Sequence, residues 1–291
     1  MLSDHPVRGV ADTARWVALY RAEESERRDA HFRDPWARRL AGERGAQIYG
    51  ALPRSTRRIG WSFVARTVLF DQLILDEVAV GVTRIINLAA GLDTRPYRLP
   101  LPSTLQWIEV DQADLLAEKA ALLADVRPAC RLERIPLDLT AEELRQEQFR
   151  RWSHPDVGTL ILTEGLLVYL TEHQVTSLAH DLTQQPGFLS WATDLTSPRL
   201  LQMIRRDVGR QLAAGGAPFQ FAPEAGPDFF ARLGWTPTEV HPLMTTAARL
   251  KRLPLFLRLL AKLPATRTFH PRRPWSAVCL LKRLAPGSPA T

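Results

Sequence analysis

Asp93 and Arg95 stand directly behind an apolar run and a turn of small residues in the stretch Arg84–Arg98, RIINLAAGLDTRPYR. A β-branched run that empties into Ala89, Ala90 and Gly91 reads as a buried parallel strand turning tightly toward a helix. That is the place where open α/β sheets hold nucleotides. A dinucleotide's pyrophosphate needs bare backbone N–H groups at a helix start, normally supplied by G-x-G-x-x-G, with no carboxylate in the way. This turn has one glycine of the three and an aspartate. Asp93 would repel a pyrophosphate and attract an ammonium or sulfonium group. S-adenosylmethionine carries both cations and no phosphate, so it is the expected cofactor. Glu109 or Asp111, in WIEVD about twenty positions on, can accept hydrogen bonds from the ribose of either nucleotide. The same residues also suit a plain strand–turn–helix in which Asp93 caps the helix and Arg95 is solvated.

The elements that would carry these residues alternate. Strands are expected at 84–89, 104–110, 131–136, 159–163 and 188–193, with helices at 111–124, 140–151 and 171–184 between them. Alternation of this kind predicts a parallel sheet covered on both faces. Three helical stretches come first: 12–28, a short one starting at Asp34-Pro35, and 55–79 with Arg66 inside it. Beyond the alternation, 197–213 and 226–233 read as helices, Trp235 to Val240 as a weaker strand and Ser276 to Leu281 as the last. The expected fold is therefore α/β: a Rossmann-like, doubly wound, seven-stranded, mostly parallel sheet with extra N-terminal helices. Its last two strands would form an antiparallel edge with a helical insertion, 243–273, between them. Residues 1–283 read as one domain, divided into a helical cap (1–79), a cofactor-binding core (80–196) and substrate-side helices, lid and last strands (197–283). Residues 284–291 read as a disordered tail.

Composition narrows the class. A chain of 291 residues with 45% hydrophobic and 24% charged residues has the composition of an ordinary soluble globular protein. It has neither a signal-peptide pattern nor an apolar run of membrane-spanning length, so a cytoplasmic protein without stable membrane insertion is expected. Cys130 and Cys279 lie too far apart in sequence to suggest a disulfide framework or zinc site, and His173 and His180 make no metal motif; no metal is expected. The net charge of +7 is local. Met244–Arg273 holds eight cations and no acid, and without them 30 basic residues face 31 acidic ones. Within it, Leu255, Phe256, Leu259, Leu260 and Leu263 alternate with Arg258 and Lys262. Such a stretch suits either a lid that steers an acidic or carrier-bound substrate, or an anionic surface. The lid reading predicts a small-molecule acceptor and no nucleic-acid partner.

Four features fall at successive strand ends: AAGLDTR, EVD, Asp138-Leu139 and Glu164 in ILTEGLLVYL. At these residues the chain resembles the leucine carboxyl methyltransferase family of class I S-adenosylmethionine-dependent enzymes. The family's G-A-G-L-D-T-R is similar to AAGLDTR here, and its T/A-E-G-L-L-x-Y-L to Thr163–Leu170. DTARWVALYRAEESER and FRDPWA also resemble the family's N-terminal helices, so the likeness covers nearly the whole chain. The resemblance implies that Arg66, in FVART, grips the methionine carboxylate, with Arg15 or Arg21 as a second basic residue. It implies Asp111 at the ribose, Asp138 and Leu139 at the adenine, and Glu164 near the amino-acid end, with Gly91 and Asp93 in the turn. Ala89 departs from the family's first glycine, and its methyl takes room from the cofactor.

Methyl transfer from a sulfonium is an in-line displacement governed by positioning. A carboxylate acceptor is ionised at neutral pH and needs no general base. The expected activity is O-methylation of a small-molecule or natural-product carboxylate, with Tyr169 and Glu164 lining the transfer site and Asp194 and Thr196 facing the substrate. A hydroxyl acceptor is the alternative, with His241 or Glu164 as its base.

Overall fold

The computed structural model describes residues 10–51, 57–214, 216–254, 257 and 269–283. Three helices, α1 (Val10–Ser25), α2 (Ala37–Ala51) and α3 (Gly60–Ala79), precede β1 (Arg84–Leu88). Then follow α4 (Arg95–Arg98), β2 (Gln106–Asp111), α5 (Ala113–Leu122), β3 (Arg131–Pro136), α6 (Glu142–Trp152) and β4 (Thr159–Thr163). A 3-10 turn (Leu167–Tyr169) leads to α7 (Glu172–Thr183), β5 (Phe188–Thr196) and α8 (Pro198–Ala214). A second 3-10 segment (Gly226–Leu233), β6 (Trp235–Pro242), α9 (Leu243–Arg249) and β7 (Ser276–Arg283) complete the fold.

The seven strands form one sheet in the order β3-β2-β1-β4-β5-β7-β6, parallel from β3 to β5, with β7 antiparallel to both neighbours. This is the Rossmann-like, doubly wound arrangement. Successive strand side chains point to opposite faces, and each face is buried by different helices. Ile86 and Leu88 of β1 and Ile161 of β4 pack with Phe149 of α6 and Val175, Leu178 and Leu182 of α7. Ile85, Leu160 and Leu162 turn the other way onto Phe70, Leu73 and Ile74 of α3 and Ala247 of α9. Two-sided burial explains why β4, TLILT, is wholly apolar or hydroxyl-bearing and fully buried. The helix α7 starts at a capping box: Gln174 N donates to Thr171 Oγ1 at 3.2 Å, and Thr171 N donates to Gln174 Oε1 at 2.9 Å.

As expected, the last two strands pair antiparallel at one side of the sheet, with β7 between β5 and β6 and β6 outermost. Two expectations are corrected. Pairing with β7 carries β5 on to Thr196, which places Asp194 inside the strand instead of after it. The helix expected from Asp34-Pro35 begins at Ala37, after a turn in which Asp34 O accepts from Ala37 N at 3.3 Å. Most of the amphipathic stretch (Leu255, Phe256, Arg258, Leu259, Leu260, Lys262 and Leu263) and the tail 284–291 lie outside the described residues. Among the described residues no helix is long and apolar enough to cross a membrane.

Candidate active site

The strand order reverses between β1 and β4, and ligands of open α/β sheets bind in the crevice outside the carboxyl ends at that point. A cavity of about 980 Å³ lies there. Its walls include Arg66, Ala89, Gly91, Asp93, Asp111, Asp138, Leu139, Glu164 and Tyr169, together with Asp194 and Thr196. Residues spread over more than 100 positions of sequence thus share one space.

The turn after β1 is shaped by backbone conformation. Ala89 has φ 57° and Gly91 φ 49°, both in the left-handed region where a side chain is strained. A Cβ on Gly91 would also stand 3.3 Å from the Ala14 Cβ of α1, which crosses the turn. Arg21 of α1 pins the turn from above: its Nη2 donates to Leu92 O at 2.6 Å and its Nε to Asp34 Oδ2 at 2.9 Å. Arg21 therefore reaches the cavity, whereas Arg15 pairs with Glu118 of α5 and does not line it.

Asp93 is not an isolated charge. Asn87 Nδ2 donates to Asp93 Oδ2 and Arg95 N to Oδ1, each at 2.9 Å, and Arg95 Nη1 lies 2.9 Å from Oδ2. Burial opposes its charge, but Arg95, with lesser help from Lys119, the Arg95 amide and Arg98, holds the carboxyl down at about 2. Arg95 is buried and reaches two further carboxylates, Asp71 Oδ1 through Nε and Glu164 Oε2 through Nη1, both at 2.7 Å. Sequence reasoning left Arg95 in solvent as one option and did not find Asp71 at all. Asp71 also receives Arg98 at 2.6 Å, and the only sequence signal was an acid on the buried side of a helix near an RPYR segment.

A second arginine sits across from the first. Arg66 Nε is 3.0 Å from Glu164 Oε1 and Arg66 Nη1 donates to Asp194 Oδ2 at 3.0 Å. Asp194 Oδ1 in turn accepts from Gly165 N at 2.6 Å. Gly165, at φ 69°, is also needed for close approach, because a Cβ there would stand 3.3 Å from the Arg66 guanidinium. Glu164 is thus shared between two guanidinia. Burial would raise its pKa, and Arg95 and then Arg66 more than reverse that, so it stays below the usual carboxylate range.

Asp111 closes β2 with one backbone amide on each oxygen: Gly91 N on Oδ2 and Gln112 N on Oδ1, both at 2.7 Å. Burial pushes its pKa up against the pull of those amides. Each oxygen keeps a lone pair for a ligand hydroxyl. Glu109, two residues earlier, is taken by Lys119 at 2.7 Å and Arg134 at 2.9 Å and does not line the cavity. Asp138 Oδ1 accepts from Thr140 N at 2.8 Å, a local turn that leaves Leu139 at the cavity wall. Tyr169 reaches the cavity, and its hydroxyl bonds to Thr13 Oγ1 at 3.1 Å; burial pushes its pKa up to about 12. His241 lies outside the cavity lining, on β6, with Nε2 2.8 Å from Glu239.

The described charged residues lining the cavity are three arginines (Arg21, Arg66, Arg95) and six acids (Asp93, Asp111, Asp138, Glu164, Asp194, Asp207). The excess of negative charge favours a cationic ligand, and it belongs to the cluster as a whole. Part of the basic C-terminal segment is structural. Arg252 donates to both oxygens of Glu24 at 2.9 Å, tying the loop after α9 to the end of α1.

Comparison with known proteins gives the family and the fold. Residues 14–183 match the leucine carboxyl methyltransferase family. A protein of Streptomyces avermitilis named as an S-adenosyl-L-methionine-dependent methyltransferase is 32% identical over 254 residues, 82% of this chain and 87% of its own. One of the same name in Frankia alni is 33% identical, covering 78% and 82% of the two chains. Another from Parafrankia is 36% identical over 188 residues, 60% of this chain and 59% of that protein. Among solved structures, a DUF574 family protein of S. avermitilis superimposes with a TM-score of 0.60 at 12% identity, covering 94% and 97% of the two chains. A Thermobifida fusca protein described as a methyltransferase gives 0.56 at 15% identity and covers 97% of each. Both share the fold.

Proposed function

The chain belongs to the leucine carboxyl methyltransferase family and is an S-adenosylmethionine-dependent methyltransferase, and from that premise we propose that it methylates a carboxylate oxygen of a small molecule. The donor set suits the cofactor. Arg66 is a planar fork able to take a carboxylate, with Glu164 and Asp194 beside it for an ammonium group. Asp111 has lone pairs for ribose hydroxyls, and Asp138 and Leu139, which line the same cavity, are available to an adenine. When bound, the sulfonium supplies the methyl group. The protein's own part is to fix these groups in place, through Arg95, Asp71 and Arg21, and to keep water from the reacting oxygen.

The observation that carries the carboxylate reading is that no histidine, lysine or cysteine lines the cavity among the described residues. Glu164 is held below the usual carboxylate range by Arg95 and Arg66, Asp194 is paired with Arg66, Tyr169 is pushed up to about 12, and His241 is elsewhere. A hydroxyl acceptor would need one of them to take a proton, while a carboxylate needs none. Labelled S-adenosylmethionine incubated with a panel of carboxylic acids and phenols should yield alkali-labile methyl esters. Alkali-stable ethers as the main product would overturn the carboxylate assignment.

A further inference from the structure

The helix α6 departs from its own pattern at one position. Arg145, Phe149 and Trp152 are its buried residues, and spacing of i, i+4 and i+7 puts them on the one face that packs into the core. Period alone would place an apolar side chain at 145. The arginine there is 2% exposed. Arginine is almost never buried unless paired, and replacing a buried ion pair by apolar residues of similar size often costs no stability. Packing alone would be served as well by leucine or methionine. What an arginine adds is a fork that bonds in several directions at once.

Those directions join three segments. Nε and Nη2 donate to Asp181 Oδ2 of α7 at 2.9 and 2.5 Å, and Nη2 also donates to Ser177 Oγ at 2.8 Å. Asp181 is itself 5% exposed and takes Gln146 Nε2 on its other oxygen at 3.0 Å. The guanidinium is therefore fixed against α7. Its remaining arm, Nη1, donates to the main-chain carbonyl of Leu139 at 2.6 Å. Leu139 lies in the turn between β3 and α6, lines the cofactor cavity and packs against the same core cluster as Phe149. Its neighbour Asp138 accepts from Thr140 N and Oγ1, both on Oδ1, at 2.8 and 2.7 Å, and Oδ2 has no donor among the described residues. Arg145 itself does not line the cavity. The line Asp181–Arg145–Leu139 thus sets the place of a cavity wall from behind it.

We propose that Arg145 is a positioning residue for the adenine of S-adenosylmethionine: anchored on Asp181, it fixes the Leu139 carbonyl, and with it the Asp138 carboxylate, where Oδ2 can accept from the adenine amino group. This rests on the placing of Asp138 and Leu139 at the adenine, and the test separates the two. The full chain is titrated calorimetrically with S-adenosylhomocysteine and with S-inosylhomocysteine, which carries a carbonyl oxygen where adenine has its amino group. The unaltered protein should bind the inosyl compound at least about tenfold more weakly, since a charged hydrogen bond is lost. Equal binding means that Asp138 is not at the amino group, and both the placing and the proposal fall. Arg145→Met should shrink the ratio of the two affinities to about twofold or less while leaving the inosyl affinity nearly unchanged, a coupling read as a double cycle. A merely structural role would weaken both ligands alike and keep the ratio. Arg145→Met leaves Asp181 buried and unpaired, so Arg145→Lys is the second variant: it keeps a charge opposite Asp181, lacks the third arm, and should lose the ratio while circular dichroism shows the fold retained. Ser177→Ala removes a contact on the α7 side only and should leave the ratio as it was. A ratio that survives in either Arg145 variant, or a proportional loss of both ligands, overturns the proposal and leaves the placing of Asp138 intact. Hydrogen exchange needs no variant. In the unaltered chain at saturating ligand, peptides covering 139–146 should be slowed more by S-adenosylhomocysteine than by the inosyl compound, and equal slowing also overturns the proposal.

Discussion

At the ends of β1, β4 and β5 the cavity wall is a lattice of ion pairs at 2.7–3.0 Å, whereas along α8 and at the start of α9 it is mainly leucine, isoleucine and methionine. The lattice is directional: Arg95 and Arg66 each hold two or more carboxylates, and no member can move without unpairing another. Apolar contact is non-directional and tolerates many shapes. One end is therefore suited to a ligand with one fixed pattern of charges and the other to apolar ligands of varied shape.

The sharpest way to break this contrast is at Arg66. Arg66→Ala should raise the dissociation constant for S-adenosylmethionine by at least about 100-fold, since charged hydrogen bonds are worth about 1.5–3 kcal/mol each. It should also lower stability by about 3–5 kcal/mol, because Glu164 and Asp194 are left with buried charge. Calorimetry and thermal melts read the two effects, and Arg66→Lys should recover only part of the affinity because it lacks the fork. Asp111→Ala should weaken the cofactor by about 10- to 100-fold with little change in acceptor KM. An acceptor effect larger than the cofactor effect would contradict the division into two ends.

Acid stability tests the lattice without any ligand. Asp93 titrates at about 2 when folded against about 3.9 unfolded. Its depressed pKa contributes stability above about pH 4 that is lost as pH falls through about 2, roughly 2 kcal/mol in all. Asp93→Asn should flatten that part of the melting temperature against pH curve and lower stability at pH 7. At the apolar end, Met244→Ala should raise acceptor KM by about threefold and leave cofactor affinity alone. Smallest of all, Ala89→Gly relieves a left-handed alanine and should stabilise by about 0.5–1 kcal/mol, after the entropy glycine adds to the unfolded chain. Differential scanning calorimetry would detect it, and a lowered melting temperature would mean that φ 57° at Ala89 costs nothing.

How far the fold could be read follows from how local each signal is. The alternation of strands and helices from 84 to 184 was legible because period and turn residues are properties of near neighbours. Which of β6 and β7 is outermost was not, since the sequence of β7 is equally apolar at an edge or inside a sheet. The extension of β5 to Thr196 exists only because β7 pairs with it. In the site, strand-end acids were legible from position alone, but their partners were not. Asp71 lies 24 residues from Arg95, and Arg66 lies 128 from Asp194. The choice between Arg15 and Arg21 was equally hidden, because both sit on α1 and only its packing angle decides which reaches the turn.

What the amino-acid sequence by itself determined is the parallel sheet, the tight turn after β1 and an acid at each neighbouring strand end, because backbone preference and hydrophobic period act over a few residues. Tertiary structure decided which charges neutralise one another, that Asp93 is one member of a shared cluster, and that the α8 stripe faces a cavity. Those outcomes depend on distances of a few ångströms between segments far apart in the chain, and Coulomb and contact energies change sign or vanish over such distances.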